Sequence, residues 1–187
     1  MTDQIAMTEA NTFQGCATKR ISYVLPTKNR AQFIGKALDG AKHLVGPEDE
    51  LIVVDGGSTD GTVEIIAGYG GLVDLFISEP DLNASHASNK GMLVARGRYI
   101  NWFTDDDEYF PEAMEQAVGV LDAHPEIDIL LCGGTRRVGE TIIPVYVPPG
   151  TNYGLSAEDI FRHTGSGMGI LIRRNVLSQI GLVDQHN

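Results

Sequence analysis

The segment ELIVVDGG, from Glu50 to Gly57, places the tightest limit on the fold. Leu51 to Val54 are all apolar, with no polar residue at every second position. Such a run suits a strand buried on both faces, as in a parallel sheet. Parallel neighbours need long crossovers, usually helices, and the chain provides helical patterns between its apolar runs. ISYVLP (Ile21 to Pro26) reads as a first strand. AQFIGKALDGAKHL follows, with Phe33, Ile34, Ala37, Leu38 and Ala41 on one helical face. STDGTVEII opens a helix with Thr59 or Asp60 as N-cap. VDLFISE, RYINWFT and IDILLCGG are further strands, and ASNKGMLVAR is a short helix. PEAMEQAVGVLDAH is a helix with Pro111 in its first turn and an apolar stripe of Met114, Ala117, Val118 and Leu121. Residues 135–153 read as irregular strand and loop. SAEDIFRH begins with a capping box from Ser156 to Asp159, and MGILIRR and NVLSQIG add a strand and a helix. This order predicts an α/β fold, a mostly parallel Rossmann-like sheet with helices on both faces.

A chain of 187 residues suits one domain with a sizeable core. Its net charge of -11 and pI of about 4.7 exclude general nucleic-acid binding, which needs a basic footprint. Cys16 and Cys132 are too few for a disulfide scaffold, and neither has a second ligand at metal spacing. They fit a reduced, cytoplasmic chain. No apolar run is long enough for a transmembrane segment. Residues 1–19 read as a polar, mobile leader without signal-peptide character, and 20–187 as a single domain.

In open α/β sheets, ligands bind outside the carboxyl ends of the strands. Three strands end there in polar clusters: PTKNR, DGGSTD and TDDDE. In PTKNR, Lys28 and Arg30 are either surface charges or contacts for a phosphate or base. DGGSTD is either a cap-rich turn or a loop in which Asp55, Gly56 and Gly57 approach a ligand closely. It is no phosphate loop of the Gly-x-x-x-x-Gly-Lys kind, because the Lys is missing. TDDDE sets Asp105, Asp106, Asp107 and Glu108 in a row after an apolar strand. One carboxylate would suffice to cap the next helix. A hard divalent cation would relieve the repulsion among the rest.

Together PTKNR, IVVDGGSTDGT, SEPD, NKG, ARGRYINWFTDDDEYFP and GLVD resemble the inverting nucleotide-sugar glycosyltransferases of GT-A fold, in particular their bacterial polysaccharide branch. The resemblance runs from Ile21 to Asp184. It implies a sugar transferred from a nucleoside diphosphate sugar, with inversion, to a saccharide or lipid-linked acceptor hydroxyl. It implies Mn²⁺ or Mg²⁺ as cofactor. It places Pro26, Thr27, Asn29, Arg30, Asp55, Gly57, Asp81, Asn89, Lys90 and Asp105 around the nucleotide. The family's Asp-x-Asp motif falls on Thr104 to Asp106, with Thr104 in place of the first Asp. Asp106 is then the metal ligand and Asp107 the second candidate. A lipid-linked acceptor would bring a cytoplasmic chain to the inner membrane face.

The general base that the resemblance implies has no matching motif here. Asp184 and His163 are the candidates, and the acceptor and base portion is expected to be missing. Asn83 and His86 stand where relatives often carry Gly and an acid, and His86 reads as an ordinary exposed histidine. Trp102 reads as core. Arg173 and Arg174 resemble a family position facing the cleft, at least one of them being a solvated helix-start charge. RHTGSGMG (162–169) either shapes the acceptor side or is a plain loop. Two other functions compete. A nucleotidyltransferase would need a Gly-rich first loop, which PTKNR is not. A non-catalytic nucleotide-sugar-binding domain, or an inactive fragment, would bind donor without transfer.

Overall fold

The computed structural model describes residues 19–132, 134–145 and 169–184. The apolar runs become strands in the expected order. In sequence the elements are β1 (Ile21–Thr27), α1 (Ala31–Leu44), β2 (Glu50–Asp55), α2 (Thr62–Ala67), β3 (Leu75–Ser78), α3 (Ala84–Val94), β4 (Tyr99–Trp102) and α4 (Pro111–Ala123). Then come β5 (Ile129–Leu131), β6 (Gly134–Val138), β7 (Thr141–Val145), β8 (Ile170–Arg173), a 3₁₀ turn (Arg174–Val176) and α5 (Leu177–Ile180).

Six strands form one sheet in the order β3-β2-β1-β4-β8-β5. β1 pairs in parallel with β2 and β4, and β2 in parallel with β3. β8 runs antiparallel between β4 and β5. β2 is buried along its whole length, as its unbroken apolar pattern requires. Side chains alternate between two cores. Ile21, Tyr23 and Leu25 join α1 and α4 on one face. Val24, Val54 and Ile100 join α3 and the 3₁₀ turn on the other. The α4 stripe of Met114, Ala117, Val118 and Leu121 is buried as expected. Removing a side chain of that size from such a core costs about 2–5 kcal/mol. β6 and β7 pair as a separate antiparallel hairpin within the stretch expected to be irregular.

Three local expectations are corrected. Phe33 is 38% exposed and lies outside the core that Ile34, Ala37, Leu38 and Ala41 join, its ring meeting the Arg30 guanidinium at 4.3 Å instead. The cap of α2 is Gly61 at φ +95°, not Thr59 or Asp60. Asp60 still supports the turn, accepting from the Thr62 amide at 3.1 Å and from the Ala31 amide at 3.0 Å. Trp102, at the end of β4, is only partly buried. The leader and the Ser156–Asp159 capping box lie outside the described residues, apart from Lys19. No helix among the described residues is long and apolar enough to cross a membrane.

β1 leads through β2 to β3 on one side, while β4 lies on its other side. The strand order therefore reverses between β1 and β4, and the crevice at their carboxyl ends is where such sheets bind ligands.

Candidate active site

Two loops above β1 and β2 are laced together. The registers Thr27–Asp55 and Asp55–Ser78 set the strand tips level. Asn29 adopts φ +53°, a left-handed conformation that Asn tolerates better than most residues. Its amide donates to Ser58 Oγ at 2.7 Å, and its Oδ1 accepts from the Thr59 amide at 2.9 Å. The Arg30 amide donates to Thr62 Oγ1 at 2.8 Å. Asp55 is fully buried and organises the second loop from below. Its carboxylate accepts from the amides of Gly57 and Ser58 and from Ser78 Oγ at 2.7 Å. Gly57 completes the turn at φ +80°.

The acidic run is held by the chain's own donors. The β1–β4 register, extended past Val24–Trp102, brings Thr27 beside Asp105. Thr27 Oγ1 donates to Asp105 Oδ2 at 3.1 Å. Arg30 Nε donates to both Asp105 oxygens at 3.0 Å, and Nη2 adds a bond to Oδ1 at 2.8 Å. Nη2 also reaches Asp106 Oδ2 at 3.1 Å. Hydrogen bonding to Asp105 holds the Arg30 guanidinium pKa above its ordinary value. Asp107 accepts from the Thr104 hydroxyl, and Glu108 pairs with Lys36 on the surface. Tyr109 sits under this turn, donating to the Trp102 carbonyl at 3.1 Å. Burial, with the Asp107 charge beside it, raises its phenol pKa. Arg30 and Lys36 therefore offset part of the repulsion in the run, and the Thr104 hydroxyl gives Asp107 a hydrogen bond without cancelling its charge.

The opposite wall is the segment before α3. Asp81 has a side chain only 4% exposed, and Lys28 Nζ lies 3.5 Å from its Oδ1. Gly56 makes room for it, since a Cβ there would fall 2.1 Å from Asp81 Oδ2. Asn83 caps α3 by accepting from the His86 amide at 2.9 Å. His86 is half-buried rather than freely exposed, and its Nδ1 accepts from the Leu82 amide at 3.1 Å. That bond assigns the proton of a neutral imidazole to Nε2. Between the walls lies a cleft of about 330 Å³, bordered by Pro26, Thr27, Lys28, Arg30, Asp81 and Asp105.

Asn89 and Lys90, expected at the nucleotide, are engaged by other partners. Asn89 is buried, and its amide clamps the backbone of Val183 through bonds of 2.8 and 3.0 Å. Lys90 Nζ is taken by Glu79 at 2.8 Å and the Pro80 carbonyl at 3.1 Å. Asp184 is exposed just past the Asn89 clamp, while His163 and all of RHTGSGMG but Gly169 lie outside the described residues. Arg173 donates to carbonyls at the end of α4, including that of His124 at 3.0 Å, and Arg174 donates to the Gly97 carbonyl at 2.8 Å. Both serve as backbone ties instead of facing the cleft. Sequence reading missed the first turn of α3, where Ala84 and Ala87 line the cleft. Their three-residue spacing after the Asn83 cap is the signal that would have found them.

Among the described residues, no three His, Cys, Asp or Glu side chains converge as a metal cage. Asp106 is different from Asp105. Its side chain is 62% exposed and it accepts one bond from Arg30. One hard carboxylate at the cleft edge fits Mg²⁺ or Mn²⁺ in the form these ions often take, with a ligand's phosphate oxygens and water completing the shell.

Residues 22–181 match the family model described as Glycosyl transferase family 2. An uncharacterized glycosyltransferase of Rickettsia typhi is 28% identical over 171 residues, covering 88% of this chain and 54% of its own length. The chain thus spans about half the length of the curated relatives it matches. Two solved structures share the fold. Staphylococcus aureus TarS in complex with UDP has a TM-score of 0.64 and 24% identity, over 86% of this chain and 48% of its own. The Pyrobaculum calidifontis mannosyltransferase PcManGT, in complex with GDP-Man and Mn²⁺, has a TM-score of 0.66 and 22% identity, over 91% and 49%. The likeness extends to the mostly parallel sheet and its helices, the architecture expected from the sequence.

Proposed function

The chain belongs to glycosyl transferase family 2, and on that premise we propose that it takes a nucleoside diphosphate sugar as donor. The sugar passes with inversion to a saccharide or lipid-linked acceptor hydroxyl, in polysaccharide or glycoconjugate synthesis. The observation that carries this reading is the cleft at the β1–β4 strand reversal, walled by Asp81 on one side and by Arg30 and Asp105 on the other. That is the place an α/β sheet offers a nucleotide. The laced Asn29–Ser58–Thr59 loops hold the cleft's floor in shape, so little ordering is left for the donor to induce.

Asp106 would hold Mn²⁺ or Mg²⁺, with Asp107 as the second candidate. The ion, when bound, offsets the charge that grows on the departing diphosphate. TarS and PcManGT, solved with UDP and with GDP-Man and Mn²⁺, support the choice of ligands. Inversion requires a base to take the acceptor proton. Asp184 is the candidate within the described residues, held in place through the Asn89–Val183 clamp.

Calorimetry tests the reading. UDP and GDP are titrated with and without Mn²⁺ into the wild type and Asp106→Ala. Mn²⁺ is expected to tighten one nucleotide about tenfold or more in the wild type, which corresponds to about 1.4 kcal/mol. Asp106→Ala is expected to abolish that linkage, with little change in melting, because the side chain is mostly exposed. A wild type that binds neither nucleotide more tightly with Mn²⁺ would overturn it. Linkage surviving in Asp106→Ala would move the ligand role to Asp107.

A further inference from the structure

Arg30 is one cation facing two unequal carboxylates. Asp105 receives three of its N–H···O contacts, at 2.8 to 3.0 Å, and a fourth bond from Thr27. Asp106 receives one, at 3.1 Å, and its side chain is 62% exposed against 10% for Asp105. The guanidinium cannot swing far. Its Cζ lies over the Phe33 ring, 4.3 Å from the ring centre, and its own backbone amide is held by Thr62 Oγ1. A planar fork seated on one carboxylate can give up a single outlying contact and keep the rest.

We infer that Arg30 is a positioning residue that stands in for the metal ion: it neutralises Asp106 while the cleft is empty and yields that carboxylate, but not Asp105, when a cation arrives with a diphosphate. The inference rests on the proposed donor chemistry and adds a rule for how metal and donor bind together. A cation alone meets the Arg30 charge beside its ligand and binds weakly. A diphosphate brings negative charge that cancels this repulsion, so each ligand needs the other. Coupling of this kind is reciprocal by linkage. A unit charge and a divalent ion a few ångströms apart, in a water-like dielectric, interact enough to change affinity about tenfold.

The test measures Mn²⁺ binding by electron paramagnetic resonance, with Mn²⁺ alone and with UDP or GDP added, in the wild type, Arg30→Gln and Arg30→Lys. Arg30→Gln is expected to bind Mn²⁺ alone about tenfold more tightly than the wild type, and to gain less from added nucleotide. Arg30→Lys keeps the charge and is expected to stay within about threefold of the wild type. A folded Arg30→Gln that binds Mn²⁺ alone no more tightly than the wild type overturns the inference by itself. No Mn²⁺ binding in any protein, even with nucleotide, removes the proposed donor chemistry as well. NMR on the wild type serves if Arg30→Gln does not fold. Mg²⁺ with nucleotide should shift the Asp106 carboxyl carbon while the Arg30 Nε–H stays protected. Loss of that protection would refute retention on Asp105.

Discussion

Asp55 separates a loop-organising role from a ligand-contacting one. The family resemblance assigns it to the nucleotide, yet its side chain is fully buried and accepts from Gly57 N–H, Ser58 N–H and Ser78 O–H. Asp55→Asn keeps the shape and one acceptor oxygen but turns the other into an NH₂ donor. All three donors reach Oδ2, so an Asn oxygen placed there keeps them without the charge, while the NH₂ at the Oδ1 position opposes the Ser58 amide, which lies 3.2 Å from Oδ1. A hydrogen bond to a charged group contributes about 1.5–3 kcal/mol, and a buried group left unsatisfied costs about 1–3 kcal/mol. Because the groups share one carboxylate, these do not simply add, and about 3 kcal/mol is the expected loss. For a chain of this size that lowers the melting temperature by about 6–12 °C. Urea melts of both proteins, read beside nucleotide affinity, make the check. Donor binding should weaken only as far as the loop loosens, and a compensating osmolyte should restore much of it. If Asp55→Asn melts within about 0.5 kcal/mol of the wild type and yet loses nucleotide binding, the loop-organising argument is refuted and Asp55 touches the ligand.

Two further outcomes follow from the packing. Gly91 lets α3 lie against β1, since a Cβ there would fall 2.4 Å from Val24 Cγ1. Gly91→Ala gains up to about 1 kcal/mol of helix propensity but overpacks the core by about 1–3 kcal/mol; a net loss near 1 kcal/mol in denaturant melts is expected, and a stabilised protein would contradict the close approach. Glu50 is nearly fully buried, and burial alone would raise its carboxyl pKa; hydrogen bonds from Ser22 and from the Arg96 backbone and side chain outweigh this and leave it below the ordinary value. Its stabilising contribution is therefore complete above about pH 4.3, the unfolded value, and is lost as pH falls through the lower folded value. The stability gap between wild type and Glu50→Gln should shrink on acidification across that window, and a gap that widens there would contradict the assignment.

Strand positions and the sheet's parallel character were legible because burial on both faces forces continuous apolar runs such as Leu51–Val54. The α4 stripe was legible because one buried face must repeat with the helical period. Phe33 broke that logic: periodicity reports which face a residue occupies, not whether an arginine will cover it. The strand tips were legible as a site because Thr27, Asp55 and Asp105 end neighbouring strands. Their partners were not. Arg30 and Asp105 are 75 residues apart in sequence, and only the β1–β4 register brings them together. Asn89 illustrates the same limit, since its bond to Val183 spans 94 residues. A motif identifies which residue types occur near a ligand, and the long-range partner decides whether the side chain faces it.

Charge bookkeeping at the cleft carries the strongest argument for a metal. Each cation at the cleft and on its flanks already has a carboxylate among the described residues. Lys28 lies beside Asp81, Arg30 on Asp105, Lys36 on Glu108 and Lys90 on Glu79. The acidic run contributes four negative charges, and only Arg30 and Lys36 answer it, leaving two in excess. A transferase that works without a metal must meet a diphosphate with unpaired lysines or arginines, and here each would first have to leave a partner. Turning one of these cations to a diphosphate would leave its carboxylate, Asp81, Asp105 or Glu79, unanswered beside the incoming negative charge. Importing a divalent ion onto exposed Asp106 leaves those pairs intact except for one outlying Arg30 bond. On the proposed donor chemistry, a chain of net charge -11 would then draw positive charge for the leaving group from solution and not from its own paired side chains.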